Sequence, residues 1–182
     1  MSFNALVTRH IVPVLLALLT FGALPASAES IDPFLGSYEG KAVFEDDGES
    51  ERRDMSAVIA ETNDGFSINW TSVTYKSDGR TKEKTYTIEF QPSQRDNIYA
   101  SAMKVNVFGK QVPLDPLRGE PFVWARIVGD TLSLFSLFID EAGDYEMQEY
   151  HRTLAEGGLQ LVFRRLSNGA EVRTIETFLK RQ

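Results

Sequence analysis

The fold is decided by Asn63-Asp64-Gly65-Phe66-Ser67-Ile68-Asn69-Trp70-Thr71. A turn triplet leads into a run in which Phe66, Ile68 and Trp70 share one face and Ser67, Asn69 and Thr71 share the other. A period of two is the mark of a half-buried antiparallel strand, because successive side chains on extended backbone point to opposite sides. The same alternation recurs where Tyr86, Ile88 and Phe90 interleave with Thr85, Thr87 and Glu89. It returns where Leu159, Leu161 and Phe163 interleave with Gln160 and Arg164. Helical spacing over three turns is found nowhere after the first 28 residues, which excludes a mostly helical domain.

Working outward, ten strands are expected: 34–45, 53–61, 65–76, 82–90, 97–108, 121–128, 131–140, 144–154, 158–166 and 171–180. Between them stand turn-forming sets such as Ser77-Asp78-Gly79, Gly129-Asp130, Gly157-Gly158 and Ser167-Asn168-Gly169, whose residues tolerate positive φ. Spacings this short imply sequential hairpins, since a parallel crossover needs a dozen or more residues. One connection is long, Gly109 to Pro121 with four residues of proline or glycine chemistry between 113 and 121; it is read as a surface loop or a cover over a barrel mouth. Sequential antiparallel hairpins favour a closed up-and-down barrel over a Greek-key sandwich, and closure removes the edges that would otherwise pair between molecules. Charge on the weaker face of most strands argues against a membrane-spanning barrel, whose outer face is apolar.

The chain is 182 residues long with a formal net charge of −7 and no cysteine. Phosphate neutralisation needs the opposite balance, so nucleic acid is excluded as a partner. Residues 1–28 contain Arg9 and His10, then the apolar run Ile11 to Leu24, then Pro25-Ala26-Ser27-Ala28. Short apolar length and small residues before the cut mark a secretory signal peptide cleaved after Ala28, leaving a single domain at 29–182 without stable membrane insertion. The expected location is periplasmic or otherwise secreted. Lacking disulfides, the domain must rely on core packing.

The segment Phe34-Leu35-Gly36-Ser37-Tyr38-Glu39-Gly40-Lys41-Ala42 resembles the opening strand of lipocalin-like (calycin) barrels, nearest to the ten-stranded nitrobindin-like and fatty-acid-binding branches. The connection between the first two strands is too short for the helix-turn-helix lid of fatty-acid-binding proteins. The resemblance implies a barrel enclosing one small apolar molecule. The residues point the same way: Tyr38, Gly40, Ala42 and Phe44 are read as facing inward, with the small ones leaving room, as are Met55, Ala57 and Ile59, and Tyr99, Ser101 and Met103. A core filled by these same side chains, serving an interaction or scaffold module, is the alternative.

Candidate ligand-binding residues are Tyr38, Trp70, Trp124, Arg126, Glu149, His151 and Arg165. With Arg126, Glu149, His151 and Arg165 turned inward they form a polar cluster suited to a carboxylate or head group; the alternative places them outside near the rim. In nitrobindin-like barrels a histidine near the end of the chain binds haem iron, which makes His151 the residue for a haem alternative, although no motif surrounds it. One histidine and no cysteine is too few soft ligands for zinc. The acidic run Glu45 to Glu51 lacks the spacing of a helix-loop-helix calcium loop. No nucleophile elbow and no nucleotide-binding glycine loop is found, so no enzyme is assigned; Glu149 with His151 is the only acid–base pair worth naming.

Overall fold

The structure, a computed structural model, describes residues 29–46 and 48–182; the expected signal peptide lies outside these residues. Twelve strands are formed: β1 (Gly36–Asp46), β2 (Glu49–Thr62), β3 (Gly65–Tyr75), β4 (Thr81–Pro92), β5 (Ile98–Ser101), β6 (Lys104–Val105), β7 (Gln111–Val112), β8 (Phe122–Val128), β9 (Thr131–Ile139), β10 (Tyr145–Ala155), β11 (Gly158–Ser167) and β12 (Ala170–Arg181). Ten of them close a barrel in the order β1-β2-β3-β4-β5-β8-β9-β10-β11-β12, every pair antiparallel, while β6 and β7 form a small separate ribbon. The up-and-down barrel inferred from alternation is therefore the observed architecture.

Two strands differ from expectation by more than two residues at an end, each for a physical reason. β2 starts at Glu49 rather than at 53, because the ladder with β1 continues to the hairpin: Val43 pairs with Arg52, Phe44 with Glu51 and Glu45 with Ser50. Both faces are polar there, with Arg52 exposed outside and Glu51 and Arg53 lining the interior. The expected strand 97–108 holds only over Ile98–Ser101, after which the chain peels away into the β6–β7 ribbon around Asn106–Gly109. Consequently β4 is laddered to β5 only through Phe90, Gln91 and Pro92, and residues 81–88 present one edge without a strand partner among the described residues.

The two ends of the barrel are built differently. At the end where β1 starts and β12 finishes, the 3₁₀ turn Asp32–Phe34 inserts Phe34 as a stopper, buried to 1%. Ile59, Phe66, Ile68, Phe90, Ile127, Leu132, Leu159 and Leu179 close around it. Phe66 stacks on Phe90 at 5.1 Å and meets the edge of Tyr99 at 5.0 Å. The Tyr38 hydroxyl donates to the Phe34 carbonyl at 2.7 Å, and the Arg181 guanidinium sits over the Tyr38 ring while donating to the Pro33 carbonyl at 2.8 Å. The turn is thereby tied to both the first and the last strand. Tyr38 faces inward as expected, but it belongs to this stopper.

Gly40 has a different role from the one read in the sequence. A Cβ there meets the Phe178 carbonyl oxygen at 2.6 Å and Leu179 Cδ2 at 2.7 Å, so the missing side chain makes room for the backbone of β12 rather than for a ligand. Gly40→Ala is expected to lower unfolding stability by roughly 1–3 kcal/mol through overpacking at the barrel seam, read as a lower urea midpoint at unchanged slope.

Candidate functional site: the hollow half of the barrel

Above the packed end lies a cavity of about 790 Å³. The inward positions explain why. Ala57, Ser72, Thr74 and Ser136 are too small to meet across the barrel, and cations stand among the longer side chains of the lining. Its volume lies in the range of small-molecule sites. A band of rings crosses the wall: Trp70 lies 5.3 Å from Tyr86 and 5.9 Å from Tyr150, and Tyr150 lies 4.8 Å from Phe163. Ile88, Val123, Leu134, Leu161 and Leu179 supply apolar surface lower down.

The charge of the lining opposes that of the chain. Arg53, Lys76, Lys82, Lys84, Arg152, Arg165 and Arg173 line the cavity against two carboxylates, Glu51 and Glu146. Both carboxylates are engaged: Glu51 with Lys76 at 3.3 Å, and Glu146 with Arg165 at 2.6 Å. On the inner face of β10 the Tyr150 hydroxyl donates to Gln148 at 2.9 Å, and the Gln148 amide donates to Glu146 at 2.6 Å. Burial pushes the Tyr150 phenol up to about 12, so it remains neutral and a donor. Arg53 donates to Thr74 at 2.9 Å and lies 4.6 Å from the Phe44 ring; burial lowers its pKa.

Arg152 is unlike these. It is 2% exposed, and its Nε and Nη1 have no hydrogen-bond acceptor among the described residues. Its cross-strand neighbours are Leu132 and Leu161, and its guanidinium carbon lies 5.6 Å from the centre of the Tyr150 ring. Desolvation pulls its pKa down to about 10, which still leaves the guanidinium charged at neutral pH. A buried charge without a counterion carries a heavy desolvation penalty.

Of the residues singled out from sequence, Trp70 and Arg165 line the cavity. Trp124, Arg126, Glu149 and His151 lie on the outer face, which corrects the inward cluster. On β8 it is Val123, Ala125 and Ile127 that are buried, forcing Trp124 and Arg126 outward by the period of two. On β10 both faces mix charge with bulk, and the inner set is Glu146, Gln148, Tyr150 and Arg152. The sequence did hold a signal for this. In the β10–β11 hairpin Leu154 faces Leu159, Arg152 faces Leu161 and Tyr150 faces Phe163, and cross-strand partners share a face. Counting outward from Glu156-Gly157 therefore puts Arg152 on the leucine side.

Outside, Ser133 Oγ pairs with His151 Nδ1 at 2.8 Å and His151 Nε2 with Glu149 at 3.2 Å, while Arg164 approaches Glu149 at 3.4 Å. Phe135 meets the edge of His151 at 5.8 Å and stacks on Trp124 at 5.0 Å. This row has the residue types of a hydroxyl–imidazole–carboxylate relay. However, β9 is laddered on both sides, so its amides are spent in the sheet and do not converge on an oxyanion. His151 is the only histidine among the described residues, and it points away from the cavity with both ring nitrogens engaged. The residues therefore do not fit a haem iron held inside the barrel. Among the described residues no cluster of three or more metal-ligating side chains is found.

Compared with known proteins, the chain matches no family model and no curated protein. Arg152→Met is expected to raise unfolding stability, because it removes a buried cation whose desolvation no counterion offsets. A higher melting temperature in calorimetry checks this.

Proposed function

We propose that this chain is an exported carrier that reversibly binds one small, largely hydrophobic molecule in the hollow half of its barrel. The observation that carries this reading is the 790 Å³ cavity with apolar walls below and an aromatic band midway. Burial of apolar ligand surface there contributes about 25 cal/mol per Å², while side chains such as Met55 and Met103 adjust to flexible chains. The packed end supplies the stability that an empty half does not. Transport or sequestration is the role that such a site supports.

The two tryptophans test it, because Trp70 lines the cavity and Trp124 sits on the outer face stacked on Phe135. Titration with dodecanol or dodecanoate is expected to change the intrinsic emission of the wild type. Trp70→Phe should abolish that change and Trp124→Phe should keep it. Unchanged emission in all three proteins, with no bound mass in native mass spectrometry of protein from its own host, counts against a carrier. Export is supported by the leader at 1–28, and N-terminal sequencing of the mature protein is expected to begin at Glu29.

A further inference from the structure

We infer that the α-ammonium freed at Glu29 by removal of the leader is a structural cation, docked on Asn97 beside the Glu29 carboxylate. This rests on the export reading above and goes beyond it: processing supplies the last polar contact of the packed end.

Position 29 gathers acceptors and is short of donors. The Glu29 main-chain nitrogen donates to Asn97 Oδ1 at 2.8 Å, across 68 residues of chain. The Glu29 carbonyl accepts from the Tyr99 hydroxyl at 3.3 Å. Glu29 Oε2 is buried and has no donor among the described residues. A carboxylate oxygen shut away from water without a donor carries a desolvation penalty. Its surroundings do not relieve it, because the Tyr99 hydroxyl is spent on the Glu29 carbonyl and Asn97 presents its oxygen to this site.

The site is held from two directions. Asn97 has a left-handed backbone at φ 62°, which asparagine adopts more readily than most residues, and its carbonyl accepts from the Ile127 amide at 3.0 Å. On the other side Ile31 packs against the main core, and its carbonyl accepts from the Phe34 amide at 2.9 Å. Glu29 is thus fixed between β8 and the stopper.

Cleavage changes the donor count at this point. Water adds to the Ala28 carbonyl, the bond to Glu29 nitrogen breaks, and the two protons of water pass to that nitrogen. Ala28 leaves as a carboxylate, and the Glu29 nitrogen, an amide with one N–H, becomes an ammonium with three. One N–H keeps the bond to Asn97. The others bring a positive charge to the residue whose own carboxylate lacks a partner, and charge-assisted hydrogen bonds are the stronger kind. In the uncleaved chain the same nitrogen is neutral.

The mature domain prepared in two forms, one beginning at Glu29 and one at Ala28, tests this. The longer form keeps the amide bond to Asn97 and moves the ammonium one residue away. At pH 6 the Glu29 form is expected to melt roughly 3–8 °C higher, the worth of a charge-assisted hydrogen bond in a domain of this length. The titratable groups facing the ammonium are the Glu29 carboxylate and the Tyr99 phenol, which burial and that carboxylate push up. A neighbouring carboxylate raises the ammonium above its ordinary pKa of about 8. The advantage is therefore complete below that ordinary value and is lost as pH rises through the raised one. Asn97→Gly, which accepts the left-handed backbone, should narrow the gap between the two forms, as should Glu29→Ala made in both. Equal melting temperatures at pH 6, or a gap unmoved by both substitutions, overturn the inference and leave export standing. Protein from its own host that begins at a residue other than Glu29 overturns the expected processing and the inference with it.

Discussion

Closure of the sheet between its first and last strands is the constraint on which everything else rests. The β1–β12 ladder is brief, pairing Tyr38 with Arg181 and Glu39 with Lys180, and it is held by contacts that are not ladder bonds. Thr177 Oγ1 donates to the Lys41 carbonyl at 2.6 Å, the Gln182 amide donates to Ser37 at 2.9 Å, and Arg181 grips the turn that carries Phe34. Without a side chain at Gly40 the two backbones can approach. Once the seam is shut no long edge runs the full height of the barrel, and the inner faces have only one another to pack against.

Packing then divides the interior. Large branched and aromatic residues occupy inward positions toward the Phe34 end, where they interdigitate and supply the hydrophobic stabilisation of a domain without disulfides. Toward the other end small and cationic residues alternate with a band of rings, and burial is incomplete there. A second, smaller cluster of Ala42, Phe44 and Ile175 steadies the wall beside the hollow, with Arg53 and Arg173 laid over the Phe44 ring. Stability and vacancy are thus separated along the barrel axis, and the one large penalty in the hollow half is a buried cation.

Most of the fold was legible because period-two alternation is a local signal and tight turns fix the register of neighbouring strands. The interior of β3 could be read directly from Phe66, Ile68 and Trp70. Alternation alone fails where both faces of a strand are mixed. Trp124 is a large aromatic that finds its apolar neighbour, Phe135, on the outside of the barrel, and His151 finds Ser133 and Glu149 there. Long-range features were not legible at all. The break after Ser101 depends on how β4 and β8 diverge, and the stopper depends on a turn meeting a strand more than a hundred residues later. Arg152 carries a readable sign in its hairpin partner Leu161.

The short pairing between β4 and β5 leaves residues 81–88 with exposed amides and carbonyls, a template on which strands from other molecules could stack into fibrous aggregates. The sequence there is Thr81-Lys82-Glu83-Lys84, and both lysines are directed toward the barrel lumen. Charged side chains directed inward along an open edge deter edge-to-edge growth. The same two charges that line the cavity thereby keep the gap in the wall from becoming a seed for amyloid.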